Sequence, residues 1–243
     1  MTPEQQQISQ LEALYPRLPR FEIVRGRTAL VIIDMQYLDA HPDYGLGRKA
    51  RAMGAFDLVA GYFERVRAAT SNIERLLEAA RHNGIEVIHV AIAPNTEDMR
   101  DCSEVSRMLD LRPPKSSPET AILPELQPKG DEMVLHKITS SAFLSTSLDL
   151  ILHNMRIDTL VLTGVVTNGC VESTARDARD LGYRVILVTD ACAAMTVEAH
   201  QNALRHLTRT RGNGRTTDEV VAEMTQSTPN GAVQPLPAMV AGQ

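Results

Sequence analysis

The sequence predicts an α/β fold, a doubly wound, mainly parallel sheet with helices on both faces. Three observations predict it. Short β-branched apolar runs recur along the chain, segments with apolar residues every three or four positions stand between them, and the runs are apolar on both strand faces. Strand and helix in alternation imply parallel pairing, because only a crossover helix returns the chain to the same edge.

The first strand is Thr28–Asp34 (TALVIID). Phe63, Val66, Thr70, Ile73, Leu77 and Ala80 then line one face of a long helix, and Gly84 is its C-cap. Ile85–Ala91, Glu132–His136, Thr159–Thr163 and Arg184–Thr189 supply four more strands. A helix carrying Leu148, Ile151, Leu152 and Met155 follows the third strand. Another, with Val171, Thr174, Ala178 and Leu181 before Gly182, follows the fourth, and a last one includes Val197, Ala203, Leu204 and Leu207. A single domain over residues 1–224 is expected. Two long stretches inside it, 38–61 and 94–128, read as irregular insertions, either lids and binding loops or solvated segments and subunit contacts. Residues 225–243 show little periodicity and read as an extended or flexible tail.

The chain has 243 residues, with 25 Lys and Arg against 30 Asp and Glu for a net charge of −5, and 43 % hydrophobic residues. That is ordinary globular composition with length enough for a sizeable core. The mild acidity leaves no basic face for nucleic acid, and Arg209, Arg211 and Arg215 make only a short basic loop. No apolar run approaches the roughly 18–20 residues that span a bilayer, and the start, MTPEQQQISQ, lacks the layout of a secretory signal. Cys102, Cys170 and Cys192 are too few and scattered for a disulfide framework or zinc cage, so a reducing cytoplasm is expected. Gly45–Ala50 fits G-x-G-x-x-A, but it follows Pro42-Asp43-Tyr44 rather than a strand, which a dinucleotide fingerprint requires. His89, inside an apolar strand, reads as a satisfied core residue.

Doubly wound sheets carry their sites beyond the carboxyl ends of the strands. There the first strand delivers Asp34, the third Lys137, and the fourth runs through Gly164–Gly169 to Cys170 at a helix start. An acid, a base and a thiol from distant parts of the chain are thus expected at one edge. A helix N-terminus and an ammonium both favour thiolate, and a carboxylate can take the thiol proton and return it to a leaving amine. Gly164 and Gly169 suit a tight bend with free backbone N–H groups for an oxyanion. The pattern points to acyl transfer to Cys170 followed by hydrolysis. Each residue alone has a plainer use: Cys170 as a small buried hydrophobe, Asp34 as a cap, Lys137 as a solvated charge, Asp190 as a cap after the fifth strand. A non-catalytic scaffold, or a redox protein pairing Cys170 with Cys102 or Cys192, is the rival reading.

The segments Val31–Gln36 (VIIDMQ), His136–Phe143 (HKITSSAF) and Gly164–Ala178 (GVVTNGCVESTARDA) resemble the isochorismatase-like cysteine hydrolases, from about Thr28 to about Leu207. The resemblance implies a Rossmann-like sheet and an Asp34, Lys137, Cys170 triad of proton shuttle, balancing cation and nucleophile. It also implies a non-proline cis peptide at Val165–Val166 and an oxyanion hole from the N–H groups of Val166 and Cys170. True isochorismatases lack the cysteine nucleophile, so Cys170 points to the amidohydrolase members. Nicotinamidases bind a metal through an Asp-x-His group after the second strand, where this chain reads AIAPNTEDMRD without a His, so no metal and no cofactor are expected, with Asp98 and Asp101 as the residual carboxylates. AFLSTSLDLIL and VESTARDA are similar to ureidoacrylate-type amidohydrolases, which implies a small ureido, carbamoyl or biuret-type amide as substrate, without nucleic-acid or membrane partners. Phe143 stands where the family often places an aromatic wall and is either that wall or core. Tyr37 is either a wall or core, Asn168 either binds a urea-like group or holds its turn, and Arg48, Lys49 and Arg51 either meet a substrate carboxylate or form a solvated face. Many relatives are dimers or tetramers, which implies a homo-oligomer.

Overall fold

The structure, a computed structural model, describes residues 18–227 apart from 109, 111 and 210–212, together with positions 6 and 10. The strands are β1 (Thr28–Ile33), β2 (Glu86–Ile92), β3 (Met133–Lys137), β4 (Thr159–Val165), β5 (Arg184–Ala193) and β6 (Gly214–Arg215). They form one sheet in the order β3-β2-β1-β4-β5-β6, and every pairing is parallel. The helices are α1 (Tyr37–Ala40), α2 (Gly45–Ala52), α3 (Asp57–Asn83), α4 (Glu104–Met108), α5 (Leu148–Asn154), α6 (Glu172–Asp180), α7 (Val197–Leu204) and α8 (Thr217–Gln226).

The predicted doubly wound fold is the one observed. β1 and β4 are buried along their whole lengths, as expected of strands covered on both faces. Successive side chains alternate between two cores. Leu30 and Ile32 join Ile73, Leu76 and Leu77 of α3 and Val220 and Met224 of α8. Ala29, Val31 and Ile33 join Leu148 and Leu152 of α5 and Ala175 and Ala178 of α6. Gly84 caps α3 in the left-handed region, its N–H bonded to Ala80.

Several expectations are corrected. The stretch 38–61 is largely helical, since it holds α2, most of α1 and the first turn of α3. The stretch 94–128 contains α4 and two short 3-10 turns, Pro118–Thr120 and Pro124–Leu126. Thr225 and Gln226 belong to α8, opened by a capping box between Thr216 and Glu219, and 228–243 lie outside the described residues. β6 is too short to show periodicity. Its Arg215 is buried, paired with Glu223 and bonded to the Phe21 carbonyl, so it is no part of a basic loop; Arg211 and the Arg209 side chain lie outside the described residues. Asp190 lies within β5, and its carboxylate accepts from both the N–H and the hydroxyl of Thr217 at 2.8 Å, tying β5 to the start of α8. His89 is core, as expected, but only half satisfied: Nε2 lies 3.4 Å from Glu132 while Nδ1 has no partner among the described residues.

The order reverses between β1 and β4, and there Gly164 is essential. It adopts φ +113°, and a Cβ on it would stand 2.0 Å from the Ile33 carbonyl oxygen of β1, a backbone atom that cannot rotate away. Gly164→Ala should therefore destabilise the protein by about 2–4 kcal/mol in urea denaturation; an unchanged midpoint would show that the two strands do not approach this closely.

Candidate active site

Asp34 follows the last residue of β1 with φ +54°, a conformation Asp tolerates better than most side chains. Its N–H still bonds Val90 of β2 at 2.8 Å, so the chain turns without leaving the sheet, and the carboxylate is 1 % exposed. Lys137 ends β3, two strands from β1. Strands lie about 4.8 Å apart, so some ~10 Å separate the two backbones, a gap that a long lysine stem can close. Its Nζ lies 2.9 Å from Asp34 Oδ2, 3.3 Å from Cys170 Sγ and 3.0 Å from the Thr139 carbonyl. Three donors meet three acceptors, which allows an ammonium to be fully buried.

Cys170 sits in a wide turn, Thr167–Val171, between β4 and α6, where Asn168 and Gly169 leave helical dihedrals. The Val165–Val166 peptide before it is cis, as the resemblance implies. The turn is held by Gly169 N–H to the Val166 carbonyl at 3.0 Å and by Thr167 Oγ1 against His200 Nδ1 of α7 at 2.8 Å. Thr174 of α6 accepts from the Ala142 N–H at 3.1 Å, which ties the loop after Lys137 to the helix after Cys170.

The electrostatics correct one expectation. Burial pushes the Cys170 thiol well above its ordinary value and the Asp34 carboxylate adds to this, while Lys137 only partly opposes them. The neutral thiol is thereby favoured over a standing thiolate. Burial lowers the Lys137 ammonium, but Asp34 and Cys170 outweigh it and the net shift is upward.

Sequence reasoning missed four residues. Gln36 is wholly buried; its Nε2 donates to the Ile92 carbonyl at 2.9 Å and that of Glu119 at 3.1 Å, and its Oε1 accepts from Ile92 N–H at 2.6 Å. A side-chain amide thus extends the β1–β2 ladder past Asp34, and a Gln inside VIIDMQ was the available signal. Glu119 accepts from Gly45 N–H at 3.0 Å and from Arg48, so the glycine-rich start of α2 is occupied by a carboxylate of this chain. Arg112 is buried and donates to the Ile138 carbonyl at 3.4 Å, next to Lys137. Asp39 on α1 has a sealed Oδ2 with no hydrogen-bond partner among the described residues.

Of the other candidates, Asn168 is exposed in the turn that carries Cys170. Phe143 packs on the α5–α6 core with its ring 5.6 Å from Tyr183. Tyr37 clusters with His41 and Tyr44 at 5.1 and 4.8 Å. Together with Phe56 and Phe63, Tyr37 and His41 line a groove of about 470 Å³ to which none of Asp34, Lys137 and Cys170 contributes. Arg48 pairs with Glu119, Lys49 with Asp110, and Arg51 with Asp43 while lying 3.7 Å over the Phe56 ring. Asp101 is held down to about 2 because hydrogen bonds from Asn95 and Thr96 outweigh desolvation, and Asp98 pairs with Arg100. Cys102 and Cys192 are free and buried, and burial pushes the Cys192 thiol up to about 12. No helix among the described residues is long and apolar enough to cross a membrane.

A carboxylate, an ammonium and a thiol are thus in contact at the switch point of a parallel sheet, where α/β folds of this class carry their sites. The family model for the isochorismatase domain matches residues 28–219, and the chain belongs to the isochorismatase family of hydrolases. It is similar to the ureidoacrylate amidohydrolase RutB of Acinetobacter baylyi, 30 % identical over 203 residues, which cover 76 % of this chain and 79 % of that protein. Among solved structures it resembles a cysteine hydrolase from Pseudomonas syringae pv. phaseolicola, with TM-score 0.73, 26 % identity and coverage of 86 % of this chain and 97 % of the other. The N-carbamoylsarcosine amidase of Thermoplasma acidophilum shares the fold, with TM-score 0.61, 24 % identity and coverage of 79 % and 97 %.

Because the folded Lys137 is raised above its unfolded value, the stability contributed by its protonation is complete at neutral pH and is lost in alkali, as pH rises through the folded value. Lys137→Met strands the Asp34 carboxylate and should cost about 3–5 kcal/mol at pH 7. Adding Asp34→Asn should restore part of that in denaturant titrations, and a double variant no more stable than the single would show that the pair is not coupled.

Proposed function

We propose that this hydrolase is a cysteine amidohydrolase that cleaves the C–N bond of a small ureido, carbamoyl or biuret-type amide through a thioester on Cys170. The observation that carries the reading is Lys137 Nζ, which touches Asp34 and Cys170 at once. No backbone N–H among the described residues reaches either oxygen of Asp34, so the carboxylate is left to accept a proton. Sulfur attacks the carbonyl carbon as its proton passes to Asp34, and the carbonyl oxygen takes up negative charge at the N–H groups of Val166 and Cys170. The tetrahedral adduct then collapses, the C–N bond breaks, and Asp34 returns the proton to the departing nitrogen, which leaves as ammonia or a small amine. Water adds to the thioester with its proton going to Asp34, the C–S bond breaks, and the proton returns to sulfur.

Lys137 keeps its proton throughout and offsets whichever of Asp34 and Cys170 carries the negative charge, so no step leaves an uncompensated anion in the interior. Asn168, exposed in the same turn, is proposed to hydrogen-bond the ureido group. The similarity to a protein named ureidoacrylate amidohydrolase supports the substrate class.

Ammonia or amine release should appear within a panel of ureas, biuret-like compounds, carbamoyl amino acids and simple amides, and Cys170→Ala should lower the best rate about a thousandfold or more. With a slow substrate, intact-mass spectrometry should show an acyl adduct on the wild type. An undiminished rate in Cys170→Ala would refute the mechanism.

A further inference from the structure

His200 carries the inference. It stands on α7, and its Nδ1 lies 2.8 Å from Thr167 Oγ1, the first side chain of the turn that delivers Cys170. Thr167 is wholly buried, and its hydroxyl has no other hydrogen-bond partner among the described residues. Among those residues two side-chain hydrogen bonds hold this turn from outside, one near each end: Lys137 to the Cys170 sulfur at 3.3 Å, and His200 with Thr167. Asn168 and Gly169 between them leave helical dihedrals, so regular helix geometry does not set the path of the segment.

The imidazole is itself fixed. Arg65 of α3 donates to the Ala194 carbonyl at 3.2 Å and to the Met195 carbonyl at 2.5 Å, and Thr196 caps α7 by accepting from the Ala199 N–H at 3.1 Å. These bonds pin the start of α7 and hence the ring. The Thr189 backbone carbonyl of β5 also bonds the ring, and Arg65 is the charged group that faces it. Burial lowers the imidazole below its ordinary value and Arg65 adds to this, against the pull of the carbonyl, so the ring is neutral at neutral pH. A carbonyl only accepts; it therefore takes the ring N–H and leaves Nδ1 to accept from the Thr167 hydroxyl.

We propose that His200 is a positioning residue: it accepts the Thr167 hydroxyl and so holds the turn where the Cys170 sulfur stays against Lys137. It touches no reacting atom and acts through Thr167. Its consequence for turnover rests on the amidohydrolase reading, whereas its hold on the sulfur does not.

The test reads the sulfur directly, as alkylation of Cys170 by iodoacetamide followed by peptide mass spectrometry from neutral to strongly alkaline pH. In the wild type the reaction should need alkali, since burial and Asp34, with a smaller contribution from Asp39, push the thiol up against the pull of Lys137. His200→Leu, with an apolar body and no acceptor, should release the turn, lower the alkylation midpoint by about one pH unit or more and speed the reaction at neutral pH about tenfold. His200→Asn, which places an acceptor oxygen near the Nδ1 position, should return most of the wild-type profile. Cys102 and Cys192, both free and buried, are internal controls. Acceleration at all three sulfurs would mark general loosening and overturn the proposal, as would a Cys170 profile in His200→Leu that matches the wild type. Thr167→Val should reproduce the His200→Leu profile, with the double variant no worse than either; additive effects would mean that the two residues act separately, which also overturns it. On an amide that the wild type cleaves, His200→Leu should lower kcat about 10- to 100-fold with KM little changed, because a displaced sulfur loses alignment rather than binding. Absence of C–N cleavage by the wild type would count against the hydrolytic mechanism alone, and the alkylation profiles would still decide on His200.

Discussion

The ion pair between Lys137 and Asp34, shared with the sulfur of Cys170, is the constraint around which the site is built. Two fully buried charges lose several kcal/mol of hydration each, and their attraction offsets this only with short contacts and every donor engaged. The fold meets both conditions by placing the partners on non-adjacent strands of one rigid sheet. β2 lies between them, and its end is fixed on one side by Gln36 and on the other by the ladder that pairs Ile92 with Lys137. The separation of β1 from β3 is therefore set by the hydrogen-bond spacing of the sheet rather than by flexible loops.

That geometry is what the proposed mechanism uses to let a sulfur with a raised pKa act as nucleophile. A standing thiolate would need a second positive charge, since the one at hand is already matched by Asp34. A neutral thiol beside a carboxylate needs none: the proton moves over a short path while the net charge of the cluster stays constant. On the proposed mechanism, reactivity is thus conditional on an electrophile being in place.

What the sequence reveals follows from the range of the interactions involved. β1, β4 and the helix faces are legible because their patterns are local and repeat every two or 3.6 residues. Asp34, Lys137 and Cys170 are legible because the switch-point rule turns three strand ends into one location. Gln36, Glu119 and Asp39 are not, since their roles lie in partners far along the chain: Gln36 reaches Ile92, and Glu119 reaches Gly45 and Arg48. α2 escaped notice for a related reason. A short, polar, glycine-rich segment such as GLGRKARA has poor intrinsic helicity, and it is ordered by Glu119 at its first N–H and by contact with Leu38 and Pro42. In the sequence Arg215 belongs to a short basic loop, because nothing local shows that Glu223 and Phe21 will enclose it.

The cross-links around Glu119 divide the molecule's work. Strand ends and the turn after β4 supply Asp34, Lys137 and Cys170, whose positions the sheet fixes. The segments 38–61 and 94–128, which the sequence leaves unpatterned, supply Asp39, Arg112 and Glu119, and they are clamped to one another through Glu119–Arg48, Glu119–Gly45 and Lys49–Asp110. A wall made from two insertions that brace each other can change its lining residues while the sheet stays the same. On the mechanism proposed above, bond cleavage belongs to the sheet, and those two insertions are the segments free to vary around it. Asp39 belongs to the first of them, on the short helix that follows Asp34, and within reach of that residue's charge.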